Sequence, residues 1–247
     1  MKKLLQTNNL PWVTLGAGIV GAVLRTLLFS LGLDLQGLLT RHFLPHTLLW
    51  LLTFGVCAYL LVFTRDLKEA PKYSFNFPPS MTAAAGTAVA AAGILVTGIL
   101  DFSTADALAA AGTVLSFLSV AALLFISHAR WKGLHPSVLF FMVVCLYLMV
   151  SLVSVYRLKS SDPQIQTYCF PLLASVCIML AVYYDAAFAA NAGDRRLHTL
   201  FHLAAGFFCL LSLPRCDQPV FYLTMAVWMF SDLCNLTPRP RAVPETR

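Results

Sequence analysis

The chain contains repeated apolar stretches, each about as long as a bilayer is thick. The first covers residues 10–33 and holds a single charged residue, Arg25. A helix needs roughly 20 consecutive apolar residues to cross the hydrocarbon core of a membrane. The chain is also 59% hydrophobic and only 11% charged, whereas soluble domains carry about 25% charged residues. These features predict an all-α polytopic membrane helix bundle.

Eight such stretches are predicted as transmembrane helices, separated by short polar loops. They cover residues 11–32, 46–64, 81–100, 104–127, 136–156, 168–190, 197–213 and 219–236. The stretches 81–100 and 197–213 are the weakest, and without one of them the chain would have seven spans. Residues 1–236 are expected to form a single transmembrane domain. Residues 237–247, rich in proline and arginine, are expected to form a disordered cytoplasmic tail.

The distribution of lysine and arginine predicts the orientation. If the N-terminus is cytoplasmic, twelve of the seventeen Lys and Arg residues lie in inner segments and four in outer loops. Cytoplasmic loops of membrane proteins carry an excess of these residues. Both termini are therefore expected inside. The net charge of +6 then reflects contacts with anionic headgroups, and no nucleic-acid partner is expected.

Arg25 lies deep in the first predicted span and needs a partner there. At 1.5 Å per residue its Cα is about 12 Å below the outer end of the helix, beyond the reach of snorkelling alone. Asp185 in the sixth span is the favoured intramembrane partner by depth, and Asp34 or Asp162 could pair from outside. Arg25 could lock helix packing by capping backbone carbonyls. It could instead bind an anionic substrate group, with Arg25, Asp185 and Asp34 as substrate-binding residues.

His198 and His202 are the candidate metal ligands. They are spaced i, i+4 and share one helix face, with Cys209 two turns later on the same face. Imidazole and thiolate ligands suit zinc and other transition metals, but the sequence fixes no acidic ligand nearby. The alternative is a pair of interfacial histidines with polar contacts only. No bound cofactor is otherwise expected.

Two weaker patterns concern packing. The third span carries Ala84, Ala88 and Ala92 at steps of four, which favours close helix contact near the centre of the bundle. The loops LDLQGLLTRHFLP and SDPQIQTYCFP share an Asp-x-Gln pattern at an offset of half the chain. This offset raises the hypothesis of two four-helix repeats, which the sequence leaves open.

One resemblance covers the whole chain. The stretches YRLKSSDPQIQTYCFPLLASVCIML, GAVLRTLLFSLGLDLQGLL and APKYSFNFPPS are similar to those of a group of uncharacterised multi-spanning cytoplasmic-membrane proteins of Gram-positive anaerobic bacteria. The resemblance implies a bacterial cytoplasmic membrane protein with a similar number of spans. It implies no activity, ligand or catalytic residue.

Three function classes follow from these features. The favoured class is a small-molecule or ion transporter, or a membrane subunit of one. It would bind a small anionic ligand and have a wet cavity lined by Arg25 and Asp185. The second is a non-transporting accessory or assembly protein with a fully packed bundle. The third, a lipid-modifying enzyme, requires His198, His202 and Asp232 to converge within about 3–4 Å. No hydrolase or nucleotide-binding motif is present, and an enzyme is not the favoured class. Oligomeric state stays open.

Overall fold

The protein is all-helical over the residues that its computed structural model describes. These residues are 10–31, 44–65, 67, 71–102, 107–159 and 165–236. They contain a short helix in the loop before residue 81 and a helix over each of the eight stretches predicted as spans. The helices are α1 (Leu10–Leu31), α2 (Leu44–Thr64), α3 (Tyr73–Asn76), α4 (Met81–Leu100), α5 (Ala107–Lys132), α6 (Val138–Lys159), α7 (Ile165–Ala189), α8 (Arg195–Ser212) and α9 (Pro219–Asn235).

Six of these helices, α1, α2 and α4 to α7, are long and apolar enough to cross a membrane. Their outward faces carry large apolar side chains such as Leu51, Met81 and Leu139, which are 69–78% exposed in the isolated chain. Such faces require lipid contact. The chain is therefore a multi-pass integral membrane protein.

The last two predicted spans differ from these six. Helix α9 has 17 residues, while α8 begins with Arg195 and Arg196 and carries His198 and His202. Most of α8 is nevertheless buried. Its polar side chains other than Arg196 face other helices rather than lipid, which is why its composition is less apolar than its environment would suggest. The count of eight crossings stays a prediction.

Helices α4 to α9 form a closed arrangement. Each packs against the next in sequence, and α9 also packs against α4. Helices α1 and α2 pack together on the outside of α8. This places α8 between α1, α2, α7 and α9, and explains its burial.

Small residues bring α4 and α9 into close contact, although not the three alanines expected from the sequence. Ala92 is exposed and Ala88 only partly buried, because the buried face of α4 follows a different register. A Cβ atom on Gly86 would lie 2.7 Å from the Cβ of Ser231, and one on Gly93 would lie 2.7 Å from the Cβ of Thr224. These glycines therefore set the separation of the two helices.

The packing does not follow the hypothesis of two four-helix repeats. Helix α7 packs along α8, the next helix in its half of the chain. Its counterpart α2 packs on α1 and α8, and not along α4. Pro171 also lies inside α7, whereas Pro45 lies at the start of α2. The Asp-x-Gln residues themselves, at 34–36 and 162–164, fall outside the described residues.

Candidate functional site

Arg25 is buried where α1 meets the end of α8. Its Nη1 donates a hydrogen bond of 2.5 Å to the backbone carbonyl of Leu211, one residue before α8 ends. The guanidinium also lies 5.4 Å from the ring centre of Phe29 and 5.2 Å from that of Phe170. A cation at this position offsets the partial negative charge of the last carbonyls of a helix. The carbonyl contact is the one that the helix-locking alternative predicts.

Asp185 is not the partner of Arg25. It contacts His198 near the start of α8, whereas Arg25 contacts Leu211 near its end. The thirteen residues between these two contacts span about 20 Å of helix, well beyond the length of an arginine side chain. The position of a residue within an apolar stretch gives its depth in the membrane only roughly. The sequence therefore could not show that Arg25 and Asp185 lie at different depths. Asp34 and Asp162, the predicted outer partners, lie outside the described residues.

Asp185 instead belongs to a buried polar cluster of five residues from four helices. We call this the polar cluster, and it consists of Arg130, Asp185, His198, His202 and Asp232. Arg130 forms ion pairs with both carboxylates: Nη1 contacts Oδ1 of Asp232, and Nη2 lies 3.5 Å from Oδ2 of Asp185. The same Nη1 donates to Thr87 Oγ1 on α4 at 3.0 Å. Arg130 thereby links α4, α5, α7 and α9.

The two histidines line up beside the same carboxylates. His198 Nε2 lies 2.8 Å from Oδ1 of Asp185. His202 Nδ1 donates to the backbone carbonyl of His198 at 2.9 Å, since a carbonyl can only accept. This fixes the His202 tautomer and directs Nε2 toward Oδ1 of Asp185 at 3.5 Å and Oδ2 of Asp232 at 3.9 Å. Both imidazoles are fully buried.

A tight turn between α7 and α8 places Asp185 opposite the histidines. Asn191 has a left-handed backbone with φ of 57°, a conformation that asparagine tolerates better than most residues. Its Oδ1 accepts a hydrogen bond of 3.2 Å from the backbone N–H of Tyr73. Asp194 then caps α8, because its carboxylate accepts from the Arg196 N–H at 2.8 Å. The chain thus reverses direction within five residues, and α8 runs back alongside the part of α7 that carries Asp185.

Aromatic rings close the cluster on one side. Phe77, which follows α3, and Phe188, on α7, each present a ring edge or face to His198, with centres 5.4 and 5.2 Å away. The side chains of Asp185, His198, His202 and Asp232 are at most 1% exposed. The predicted histidine pair therefore has a nearby acidic ligand, but one supplied by α7 and invisible in the sequence spacing.

A separate cavity of about 720 Å³ opens at the opposite end of the bundle. Eight of its lining residues carry hydroxyl groups, and they come from α4, α5, α6, α7 and α9. They are Thr97, Thr113, Ser116, Tyr147, Ser151, Ser154, Tyr168 and Tyr222. Thr97, Thr113, Ser116 and Tyr222 donate to backbone carbonyls, but their hydroxyl oxygens can still accept hydrogen bonds from a polar molecule or water.

The cavity extends deep into the bundle. Tyr147, Ser151, Ser154 and Arg157 line it from one face of α6, as their spacing of three or four residues requires. From Arg157 to Tyr147 the helix rises about 15 Å, or about half of a hydrocarbon core that is roughly 30 Å thick. The cavity thus extends along about half of the length that a helix needs to cross a membrane.

Charged side chains surround the mouth of the cavity. Arg157, Arg215, Asp101 and Asp217 lie among its lining residues. Asp101 accepts a hydrogen bond from the Gln218 amide, and its partial burial raises its pKa above the usual value. Arg25 and Asp185 were predicted to line a cavity, but neither is among the lining residues of this one. Other polar and charged residues line it instead.

Sequence reasoning missed Arg130 as a site residue. The fourth predicted span, 104–127, was expected to end at residue 127, which assigned Arg130 to a cytoplasmic loop. Helix α5 continues to Lys132, and this extra turn carries Arg130 into the bundle. The available signal was a helical spacing: Leu123, Ile126 and Arg130 follow one another at three and four residues and are all buried.

No protein-family model, curated protein or solved structure matches this chain. The polar cluster and the cavity are therefore the features that bear on the function of this chain.

Proposed function

We propose that this protein is a transporter, or the membrane subunit of one, that binds a small polar solute with an anionic group in the open cavity. The observation that supports this proposal most directly is the hydroxyl-rich cavity, which reaches halfway through the bundle. Its volume of about 720 Å³ lies within the range of roughly 300–1,000 Å³ that small-ligand sites occupy. A bacterial cytoplasmic membrane with both termini inside is part of this proposal. The cavity then opens to the exterior.

The cavity mouth carries groups of both signs, so it can contact an anionic group and a cationic or hydroxyl group on one solute. Arg157 and Arg215 can each present a guanidinium to a carboxylate or phosphate, for which the planar fork is well suited. Asp101 and Asp217 nearby balance the two arginines and can accept hydrogen bonds from an amine or hydroxyl. Small amino acids, hydroxy acids and sugar phosphates carry both kinds of group.

Each alternative class fits the described residues less well. The accessory class predicts a fully packed bundle, and a cavity of this depth is not needed to hold helices together. The lipid-modifying class places chemistry at His198, His202 and Asp232. His202 Nε2 does lie 3.9 Å from an Asp232 oxygen. These side chains are, however, at most 1% exposed, which leaves a lipid headgroup no access to them.

Ligand-induced thermal stabilisation tests the proposal. The purified protein in detergent would be heated with small carboxylates, amino acids and phosphate esters. A solute present at 100 times its Kd stabilises the folded state by about 2.7 kcal/mol. We expect at least one anionic solute to raise the melting temperature. The Arg215→Gln variant should require a higher concentration of that solute.

Two tryptophan variants on α6 provide the matched control. Ser154→Trp places a large side chain in the cavity, whereas Val153→Trp points outward from a position that is 54% exposed. The proposal expects Ser154→Trp to abolish the stabilisation and Val153→Trp to retain it. Stabilisation by no solute, or equal stabilisation of both variants, would contradict the proposal.

A further inference from the structure

We infer that the polar cluster is a binding site for a divalent transition-metal ion of the zinc class, with Asp185, His198 and His202 as ligands and Asp232 as an adjacent oxygen donor. This inference does not rest on the proposed transport activity. Thr87 contacts the cluster and Thr97 lines the cavity. These ten residues of α4 span about 15 Å, so the two sites are distinct.

The ligand atoms already lie at metal-site separations. One atom each from Asp185, His198 and His202 falls within 4.8 Å of the others. Bonds of about 2.0–2.1 Å in a tetrahedral site put neighbouring ligand atoms about 3.3 Å apart. His202 Nε2 is 3.5 Å from Asp185 and 3.9 Å from Asp232, while His198 Nε2 is 2.8 Å from Asp185. Only the last separation would have to widen, by about half an ångström.

The tautomer of His202 leaves a gap that a metal ion or a proton would fill. Its Nδ1–H donates to a backbone carbonyl, so a neutral ring has its Nε2 lone pair directed at two carboxylates. The lone pairs of the imidazole and of the carboxylates repel each other when no cation lies between them. Burial makes this repulsion stronger. The same carbonyl contact is the support that metal-binding histidines commonly have behind them.

A proton on His202 fits the gap less well than a metal ion does. Protonated Nε2 would have its nearest oxygens at 3.5 and 3.9 Å, beyond the 2.7–3.2 Å of an N–H···O hydrogen bond. His202 Nε2 and Asp232 Oδ2 are both buried and without a hydrogen-bond partner. A metal ion placed between them would satisfy both atoms.

The charges of the cluster are consistent with an additional cation. Two carboxylates face the single guanidinium of Arg130. Arg130 approaches Asp185 through Oδ2 and Asp232 through Oδ1, which leaves Asp185 Oδ1 and Asp232 Oδ2 on the histidine side. Imidazole with carboxylate oxygen is a ligand set that zinc accepts readily.

Metal analysis of the purified protein tests this inference. The full chain would be purified through a tag without histidines, incubated with Zn²⁺, dialysed and analysed by elemental mass spectrometry. We expect about one zinc ion per chain, as for a single three-ligand site. His202→Asn and His198→Asn should lose the ion. His128→Asn, which changes an exposed histidine on α5, should retain it. A metal-free wild type, or full zinc content in His202→Asn, would overturn the inference.

X-ray absorption of the zinc-loaded wild type identifies the ligand atoms directly and does not depend on whether the variants fold. Nitrogen and oxygen ligands at about 2.0–2.1 Å are expected, whereas cysteine ligation would give sulfur at about 2.3 Å. A sulfur shell would assign the ion to some of the seven cysteines and overturn the inference. Ser154→Trp, which fills the cavity, should bind zinc like the wild type, so this site and the proposed solute site can fail independently.

Discussion

At the scale of single residues, buried charge organises one half of this bundle. Arg130 reaches from α5 to carboxylates on α7 and α9 and to a hydroxyl on α4. Charged groups cost several kcal/mol to bury, and a partner offsets this only while the pairing is intact. Arg130 is therefore expected to be among the least replaceable residues of the chain, more so than Arg25 with its carbonyl and aromatic contacts.

Replacing Arg130 with glutamine should strongly destabilise the protein. The change leaves Asp185 and Asp232 without the guanidinium, and removing one partner of a buried pair costs about 3–5 kcal/mol. Thermal or denaturant unfolding in a single detergent measures the effect. Lys132→Gln, two residues away and exposed, is the control and should change stability by less than about 0.5 kcal/mol.

A second substitution separates lost pairing from lost packing. Asp232→Asn in the Arg130→Gln background removes one of the uncompensated charges, so this double variant should recover part of the stability. If Arg130→Gln were as stable as Lys132→Gln, the ion pairs would contribute nothing and this description of the cluster would be incorrect.

The sequence grouped His198, His202 and Asp232 as they lie in the structure, but Asp185 was paired with Arg25 instead of with the histidines. His198, His202, Asp185 and Asp232 stand out because polar residues inside apolar stretches are rare and conspicuous. Their partners depend on which helices touch, and apolar periodicity carries little of that information. Arg130 was missed because a charge near a helix end has the same sequence signature whether it faces headgroups or turns inward.

At the scale of helices, glycines determine how closely α4 and α9 approach. Gly86 and Gly93 face Ser231 and Thr224 with no room for a side chain. Small residues at such interfaces allow dispersion contacts and short polar contacts in place of a hydrophobic driving force. Asn235 at the end of α9 also accepts hydrogen bonds from the Ser80 and Thr82 hydroxyls at 2.6 and 2.7 Å, which fixes the register of the pair.

Adding a methyl group at this interface should destabilise the bundle. Gly93→Ala forces its Cβ against the Thr224 Cβ at 2.7 Å, a contact that side-chain rotation does not relieve. Overpacking of this kind costs about 1–3 kcal/mol. Gly55→Ala on α2, where a Cβ would meet nothing within 4 Å, should be neutral or up to about 1 kcal/mol stabilising. Unfolding in detergent compares the two, and equal stabilities would argue against close α4–α9 packing.

Helix positions were more predictable from the sequence than helix contacts were. An apolar run long enough for a bilayer specifies a helix almost by itself, because the backbone has no other way to satisfy its hydrogen bonds in lipid. The buried face of α4 was predicted incorrectly, because small residues give little information about which face of a helix is buried. Alanine and glycine are compatible with either face, so Ala92 at a step of four turned out exposed while Gly93 faces α9.

At the scale of the whole molecule, the two halves of the bundle differ. One half holds an open, hydroxyl-lined cavity, and the other holds the closed polar cluster behind Phe77 and Phe188. The proposed transport function requires the closed half to open during the cycle. The helices that would separate are α5, α7, α8 and α9, which carry the five residues of the polar cluster.

The most direct test of this description is cysteine accessibility in intact cells. Ser151 lies about 9 Å below Arg157 on α6 and lines the cavity, whereas Val153 faces outward. In a background that lacks the seven native cysteines, each position would be changed to cysteine and treated with a membrane-impermeant maleimide. Thiols react as thiolates, which form in water and not in lipid.

We predict that Ser151→Cys is labelled from the cell exterior and that Val153→Cys is not. Labelling of Ser151→Cys only in inverted vesicles would keep the cavity and reverse the proposed orientation. If Ser151→Cys remained as unreactive as Val153→Cys from both sides, the cavity would not be open to water. The central claim of a one-sided solute site would then be contradicted.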